Sequence, residues 1–208
     1  MKNMLSNSYQ RSDMLNIAGF YPSSTCLGPG NRAMIWLQGC LQKCPGCITP
    51  EMQPLENKEW VSVSNMAELI GKIQGIDGVT VMGGEPMLQV LALTSFFSLI
   101  KNEYDLGIMM FTGYYKNELM NMGGDSVNEL FSHIDILIDG PYIKKLDFSQ
   151  KWRGSENQNM YFLSNRYEHW KWVKENRIRD LNVKIDKNGN YLVLGIPTSS
   201  RDPHSEQY

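Results

Sequence analysis

Three of the four cysteines of this chain lie within eight residues, and this spacing constrains the fold more than any other feature. Cys40, Cys44 and Cys47 form a C-x3-C-x2-C loop. A closed structural zinc site takes four protein ligands, whereas three thiolates on an iron–sulfur cube leave one iron free for a substrate or cofactor. Disulfides between such close cysteines would be strained, so metal binding is the favoured interpretation. The loop therefore predicts a metal centre with a vacant position.

The composition agrees with a globular cytoplasmic enzyme. The chain has 208 residues, of which 42% are hydrophobic, and this suffices for one domain with a sizeable core. A net charge of −2 gives no reason to expect nucleic acid or an anionic membrane as a partner. Residues 1–13 are polar, and no apolar run approaches the roughly 18 residues of a membrane span. We therefore expect a cytoplasmic protein without a membrane anchor.

Short apolar runs alternate with amphipathic segments along the first two thirds of the chain. The pattern predicts strands at 33–37, 78–82, 106–111 and 134–138, and helices at 66–73, 87–101 and 126–131. Asn65 with Glu68, or Ser64 instead, is the predicted cap of the first helix. Continuous apolar strands separated by helices are typical of a parallel sheet that is buried on both faces.

The loops that follow the predicted strands carry the glycines and the cysteines. These loops are 38–47, 83–86, 112–114 and 139–141. Because parallel strands bring their carboxyl ends to one rim, where ligands of such folds bind, we expect the four loops to form a single active site. Each loop taken alone would also serve as an ordinary turn, but the cysteine cluster favours the active-site interpretation.

The pattern changes after residue 142. Residues 144–159 are polar and predict a loop, 167–175 predict a helix, and Asn188-Gly189 predicts a hairpin within 181–196. Residues 199–208 predict a disordered end. We therefore divide the chain into a β/α domain over residues 1–165 and a C-terminal helix and hairpin extension over residues 166–208.

The cysteine loop resembles the signature of radical S-adenosylmethionine (radical SAM) enzymes, and a second segment extends the likeness. Residues 77–86, DGVTVMGGEP, are similar to the second strand of that superfamily and to the loop that contacts the methionyl amino group of the cofactor. The resemblance implies that Gly83, Gly84 and Glu85 contact S-adenosylmethionine and that Pro86 fixes the loop shape. Glycine lets backbone carbonyls approach a ligand closely, and the glutamate offers a negative charge.

Further blocks narrow the resemblance to the activating proteins of anaerobic ribonucleoside-triphosphate reductases. In chain order the blocks are LGPGNR (27–32), WLQGC (36–40), CPGC (44–47), FTGY (111–114), LIDGPY (137–142) and WRGSENQ (152–158). The resemblance implies an α/β fold, an open, partial parallel β/α barrel of the radical SAM type with a C-terminal β-hairpin extension. It also implies a [4Fe-4S] cluster on Cys40, Cys44 and Cys47, with S-adenosylmethionine on the fourth iron.

The same resemblance implies a glycyl-radical-enzyme activase. The reduced cluster would cleave S-adenosylmethionine, and the resulting 5′-deoxyadenosyl radical would take a hydrogen atom from a glycine of the partner enzyme. The implied partners are the anaerobic ribonucleoside-triphosphate reductase, as protein substrate, and a low-potential electron donor such as flavodoxin or ferredoxin. Nucleic acid and membrane are not expected as partners.

Other residues of the matching blocks have roles that stay open. Thr112, Gly113 and Asp139 lie where other members touch the ribose or the methionyl group, although Asp139 is equally suited to cap a helix. Arg153 and Asn157 either bind the cofactor carboxylate or the partner's loop, or hold their own loop through polar contacts.

The sequence departs from the superfamily pattern at Gly46, just before the last cysteine. Most members have an aromatic residue there, beside the adenine, whereas the reductase-activating branch shares the glycine. The substitutes that the sequence suggests are Trp36 and Tyr114.

Two alternatives to the activase remain. The first is another radical SAM enzyme with the same small fold, acting on a peptide or a small molecule. The second is a zinc-stabilised binding module in which Cys26 is the fourth ligand. Outside that second alternative, Cys26 is expected to be an ordinary buried or loop cysteine.

Overall fold

The computed structural model describes residues 11–122, 124–148 and 150–197. Its strands are β1 Met14–Ser24, β2 Arg32–Leu37, β3 Glu59–Ser62, β4 Gly78–Gly83, β5 Gly107–Phe111, β6 Ile136–Asp139, β7 Asn159–Phe162, β8 Asn182–Ile185 and β9 Tyr191–Leu194. Its α-helices are α1 Val63–Gly71, α2 Val90–Tyr104, α3 Lys116–Met122 and α4 Gly124–His133. The segment predicted to be disordered, 199–208, lies outside the described residues.

Seven strands form one mixed sheet in the order β3-β1-β2-β4-β5-β6-β7. The central strands β2, β4, β5 and β6 are parallel, as predicted, whereas β1, β3 and β7 pair antiparallel beside them. The predicted loop 144–159 ends where β7 begins. The apolar pattern does not reveal β1, β3 or β7, because polar residues interrupt the first and the other two are only four residues long. The fold is therefore mixed α/β with a parallel centre, and closure into an open barrel stays a prediction.

The boundaries of two helices differ from the predicted ones because of local caps. α1 begins at Val63, since Ser62 is its N-cap and Ser62 Oγ accepts a hydrogen bond from Asn65 N at 3.2 Å. The predicted caps at Asn65 and Ser64 are therefore wrong. α2 begins at Val90, because a short 3-10 helix that opens on proline, Pro86–Gln89, precedes it.

The central strands turn their two faces toward different parts of the chain. In β2, Ala33, Ile35 and Leu37 pack in the apolar cluster that includes the buried residues of α1, α2 and α4. Met34 packs instead in a second cluster, together with Met82 of β4. Successive side chains of a strand point to opposite faces. The α-helices therefore cover one face of the sheet and leave the other face for the cavity and the C-terminal segment.

Part of that second face is covered by the C-terminal segment, which is the described part of the chain from residue 166 to residue 197. Tyr167, Val173 and Leu194 are buried in the same apolar cluster as Met34 and Met82. The segment therefore shares a core with the sheet. The division of the chain between residues 165 and 166 stays a prediction.

Local structure within the C-terminal segment follows the sequence pattern. The helix predicted for 167–175 is a 3-10 helix, Glu168–Glu175. Strands β8 and β9 pair antiparallel, with Ile185 opposite Tyr191. The intervening turn spans 186–190, and Asp186 Oδ1 accepts hydrogen bonds from the backbone N–H groups of residues 188 and 190. These bonds stabilise a five-residue turn in place of a two-residue one.

A buried arginine joins the three strands β2, β4 and β5 at their amino-terminal ends. Arg32 is 0% exposed, and burial lowers the pKa of its guanidinium. The guanidinium donates five hydrogen bonds, from Nε to Thr80 Oγ1 at 2.8 Å, from Nη1 to Pro29 O at 3.2 Å and Tyr167 OH at 2.9 Å, and from Nη2 to Val79 O at 2.7 Å and Gly107 O at 2.8 Å. All five of its N–H groups therefore have an acceptor.

Candidate active site

The carboxyl ends of β2, β4, β5 and β6 surround a cavity of about 300 Å³. Its lining includes the three clustered cysteines, residues 83–85, Thr112, Gly113 and Gly140. All four predicted rim loops thus reach one cavity, as the parallel topology predicts. The cavity volume is in the range of small-molecule sites.

The loop that follows β2 brings the three cysteines to this cavity. Gly39 and Gly46 have φ angles of +96° and +77°, which favour glycine and turn the chain sharply. Within this loop, Cys47 N donates a hydrogen bond to Cys44 O at 3.1 Å. Cys40, Cys44 and Cys47 are half-buried free thiols that all line the cavity.

This donor set fits a [4Fe-4S] cluster. In the part of the chain that the structure describes, no group of three or more His, Cys, Asp or Glu side chains is arranged around a single ion. The thiolates of a cubane bind three different irons, so they do not need to converge on one point. Burial raises the pKa of Cys40 to about 11 and also raises the pKa of Cys44. Metal binding must therefore displace protons from these thiols.

Cys26 is not part of the cavity lining. It is 1% exposed, and its Sγ lies 3.0 Å from Ser24 Oγ. Burial raises the pKa of the Cys26 thiol. The residue is thus a buried cysteine, which is the plainer of its two expected roles.

The loop that follows β4 is joined to the cysteine loop through the backbone. Gly84 N donates to Leu37 O, and Glu85 N donates to Gly39 O, each at 2.7 Å. A Cβ on Gly84 would lie 2.2 Å from Gly39 O, which no side chain tolerates. Gly83 also requires glycine, since its φ is +108°. The two loops therefore pack backbone against backbone, and both glycines are needed for that contact.

The side chain of Glu85 connects this loop to the loop that follows β5. Glu85 Oε1 accepts hydrogen bonds from Met87 N at 2.9 Å and from Thr112 Oγ1 at 2.7 Å, while Oε2 accepts one from Gly113 N at 2.8 Å. The residue is 1% exposed, and burial raises the pKa of its carboxyl to about 7. Its observed contacts thus position Thr112 and Gly113, and its contact with a cofactor stays a prediction.

Two of the predicted cofactor-binding residues lie outside the cavity lining. Pro86 begins the 3-10 helix before α2. Asp139 is 0% exposed; its Oδ2 accepts from Lys116 N at 2.7 Å at the start of α3, and its Oδ1 accepts from Asn159 Nδ2 at 2.9 Å. Of its two suggested roles, Asp139 has the contacts of a helix cap, and Gly140 lines the cavity in its place. A cofactor contact for Pro86 or Asp139 stays a prediction.

The WRGSENQ block forms a polar network on the cavity wall. Arg153 donates to Gln158 O at 3.2 Å and to Lys174 O at 2.9 Å, and Asn157 donates to Pro141 O at 2.8 Å. Arg153 and Asn157 thus hold their own loop, whereas Gln158 of the same block lines the cavity. Binding of a cofactor or partner by Arg153 or Asn157 stays a prediction.

Sequence reasoning missed several residues of the cavity wall. Of the two suggested aromatic substitutes, Trp36 lines the cavity and Tyr114 does not. Tyr142, Ile196 and Pro197 line it as well. The position of Tyr142 directly after a rim loop was a usable signal, whereas nothing local marks the two residues near the described C-terminal end.

The class of protein follows from comparison with known families. Residues 26–161 match the family described as a 4Fe-4S single cluster domain. The match contains the cysteine loop and covers more than half of the chain, and the chain therefore belongs to that family.

Curated relatives make the assignment more specific. The chain is 30% identical over 152 residues to the anaerobic ribonucleoside-triphosphate reductase-activating protein of Vibrio cholerae, covering 69% of this chain and 96% of the relative. It is 29% identical over 162 residues to the protein of that name from Enterobacteria phage T4, covering 76% of this chain and 99% of the relative. The chain is a member of the family of anaerobic ribonucleoside-triphosphate reductase-activating proteins. About a quarter or more of it lies outside these alignments.

Two further findings complete the comparison. A solved structure, QueE from Escherichia coli, is similar with a TM-score of 0.39 and 20% identity, over 48% of this chain and 52% of that chain. Likeness at this level carries no argument about the fold. Among the described residues, no helix combines the length and the apolar character that crossing a membrane requires.

Proposed function

We propose that this protein is a radical SAM activase that generates a glycyl radical on an anaerobic ribonucleotide reductase. The observation that carries the proposal is one cavity lined by three free cysteines and by the Gly83–Glu85 loop. Membership of the activating-protein family supports it. An open β/α barrel and a cytoplasmic location are part of the same proposal.

Cys40, Cys44 and Cys47 would hold the [4Fe-4S] cluster by three of its irons. When bound, the cluster and S-adenosylmethionine would supply one-electron cleavage of the sulfonium to methionine and a 5′-deoxyadenosyl radical, which would be the acceptor for a hydrogen atom from a glycine of the reductase. A low-potential donor such as flavodoxin or ferredoxin would supply the electron.

The chain's own residues would bind and orient the cofactor. The backbone of Gly83 and Gly84 can approach a ligand closely because neither residue has a side chain. Glu85 would hold Thr112 and Gly113 in place, and its carboxylate would attract a ligand ammonium group. Buried side chains around the cavity would limit the access of water.

The test begins with metal content. Protein purified without oxygen should contain about four irons per chain, and Cys44→Ala should lose them. Cys26→Ala is the matched control, because Cys26 does not line the cavity, and it should retain its iron. One tightly bound zinc in place of iron would overturn the proposal and favour the zinc-module alternative.

The activity is tested with the partner. Reduced protein, S-adenosylmethionine and an anaerobic ribonucleoside-triphosphate reductase should together give a glycyl doublet in electron paramagnetic resonance. Cleavage of S-adenosylmethionine without that doublet would refute the activase role and favour a radical SAM enzyme that acts on a peptide or small molecule.

A further inference from the structure

Tyr142 lies on the cavity wall between two glycines. A Cβ on Gly46 would lie 3.6 Å from Tyr142 Cε1, and a Cβ on Gly154 would lie 3.0 Å from Tyr142 Cδ2. These two atoms belong to opposite edges of the ring. Tyr142 also lines the cavity and is half-buried. The ring of Tyr142 therefore lies between the cysteine loop and the WRGSENQ block and forms part of the cavity wall.

The surroundings of this ring suit a flat, partly apolar ligand. Trp36, Met82 and Phe111 line the same cavity, and they lie at the ends of strands β2, β4 and β5. Tyr142 comes from the rim instead, and it packs beside Gly46 of the cysteine loop. A nucleobase has two faces that stack well on an aromatic ring.

The hydroxyl group of Tyr142 is held by a buried ion pair. Tyr142 OH donates to Asp147 Oδ2 at 3.3 Å, and Arg179 Nη2 donates to Asp147 Oδ1 at 2.7 Å. The side chains of Arg179 and Asp147 are only 2% and 4% exposed. Such a pair is rigid, since moving either partner would leave a buried charge uncompensated.

Arg179 also fixes the cavity wall around Tyr142. It donates to Gly154 O at 2.9 Å, next to one edge of the ring, and to Pro197 O at 2.8 Å. Pro197 itself lines the cavity. The family match ends at residue 161, so this arginine lies outside it. One residue of the C-terminal segment therefore connects three parts of the wall.

From this arrangement we infer that Tyr142 stacks on the adenine of bound S-adenosylmethionine, and that Arg179 is a positioning residue that holds the ring through Asp147. The inference rests on the proposed function, because that function supplies the cofactor. It assigns to the C-terminal segment a part in building the cofactor site.

The test measures binding and does not depend on turnover. Iron-loaded protein is titrated without oxygen, by calorimetry, with S-adenosylmethionine and separately with L-methionine, which lacks the adenosine. Tyr142→Leu should weaken S-adenosylmethionine binding about 10-fold or more and leave methionine binding unchanged. Tyr142→Phe keeps the ring and should lose about threefold or less. Tyr142→Met is a second non-aromatic variant in case leucine packs poorly.

The role of Arg179 has its own comparison. Arg179→Met should weaken S-adenosylmethionine binding about as much as Tyr142→Phe does, by about threefold or less, with no change for methionine, and in the Tyr142→Leu background it should add no further loss. The matched control is Arg177→Met, since the Arg177 side chain is 67% exposed and forms an exposed ion pair with the Glu156 carboxylate at 3.7 Å. Iron content and melting temperature are measured for every variant.

The outcomes separate the inference from the proposed function. Failure of the iron-loaded wild-type protein to bind S-adenosylmethionine would overturn both. Normal wild-type binding that is unchanged in Tyr142→Leu and Tyr142→Met would overturn the inference alone. An equal loss for S-adenosylmethionine and methionine would also overturn it, because the ring would then act only on the general structure of the site.

Discussion

Replacing Arg32 with methionine removes all five buried hydrogen-bond donors while keeping a side chain of similar length. Two of the acceptors are hydroxyl groups that still donate elsewhere, Thr80 Oγ1 to Leu27 O and Tyr167 OH to Asp77 O. The other three acceptors are backbone carbonyls in a buried region. The loss of a buried partner costs about 1 kcal/mol or more for each group.

The sum for three carbonyls is about 3 kcal/mol of unfolding free energy, which is a large part of the roughly 5–15 kcal/mol of a typical domain. Urea titration followed by circular dichroism measures the change. The melting temperature should fall by about 6–12 °C in a chain of this size. Arg177→Met is the control, because this exposed side chain should change stability by no more than about 0.5 kcal/mol.

Arg32→Lys refines the test, since an ammonium group has three donors at one point and cannot reach five acceptors. Its stability should fall between those of the wild type and Arg32→Met. The reasoning is refuted if Arg32→Met lies within about 1 kcal/mol of the Arg177→Met control, because the carbonyls would then not depend on the guanidinium.

Three further changes test other parts of the structure. Gly84→Ala would place a Cβ 2.2 Å from Gly39 O, so it should separate the two loops and lower the iron content of purified protein. The control is Gly19→Ala, whose Cβ would meet only ordinary contacts and should leave the iron content unchanged. Ser62→Ala removes the N-cap of α1 and should cost about 1 kcal/mol in urea titration. The folded carboxyl of Glu85 has a pKa of about 7 against an ordinary 4.5, so the folded state holds the proton more tightly and stability falls as pH rises between these values. Urea titrations from pH 5 to 8 should therefore show Glu85→Gln gaining up to about 3 kcal/mol relative to the wild type, and a constant difference would contradict the assignment.

The centre of the fold was predictable because its strands are short apolar runs. Strands β2, β4, β5 and β6 are buried on both faces, so most of their residues are apolar, and the polar exceptions are the buried Arg32, Thr80 and Asp139. The strand β1 contains polar Asn16 and is therefore less distinct, although Asn16 is itself fully buried. Its side chain is satisfied by backbone groups of residues 56 and 58, and such distant partners are not visible in a local pattern.

The candidate site was predictable where its residues lie in the rim loops. It was not predictable where residues that are distant in the sequence contribute to the cavity wall. Cys40, Cys44 and Cys47 share one short loop, and Gly84 follows a strand directly. Arg179 is 32 residues from its partner Asp147, and only the folded chain brings them together. The preference of Asp139 for the start of α3 also depends on tertiary contact, because the residue it caps lies 23 positions earlier in the chain.

The backbone contact between the cysteine loop and the glycine loop couples the binding of the metal to the binding of the cofactor. If an occupied metal site raises the affinity of the glycine loop for its ligand by some factor, the bound ligand must raise the affinity for the metal by the same factor. The two effects are equal because the free energies around the thermodynamic cycle sum to zero. Oxidative loss of iron would therefore also weaken cofactor retention, and saturation with cofactor would slow the damage.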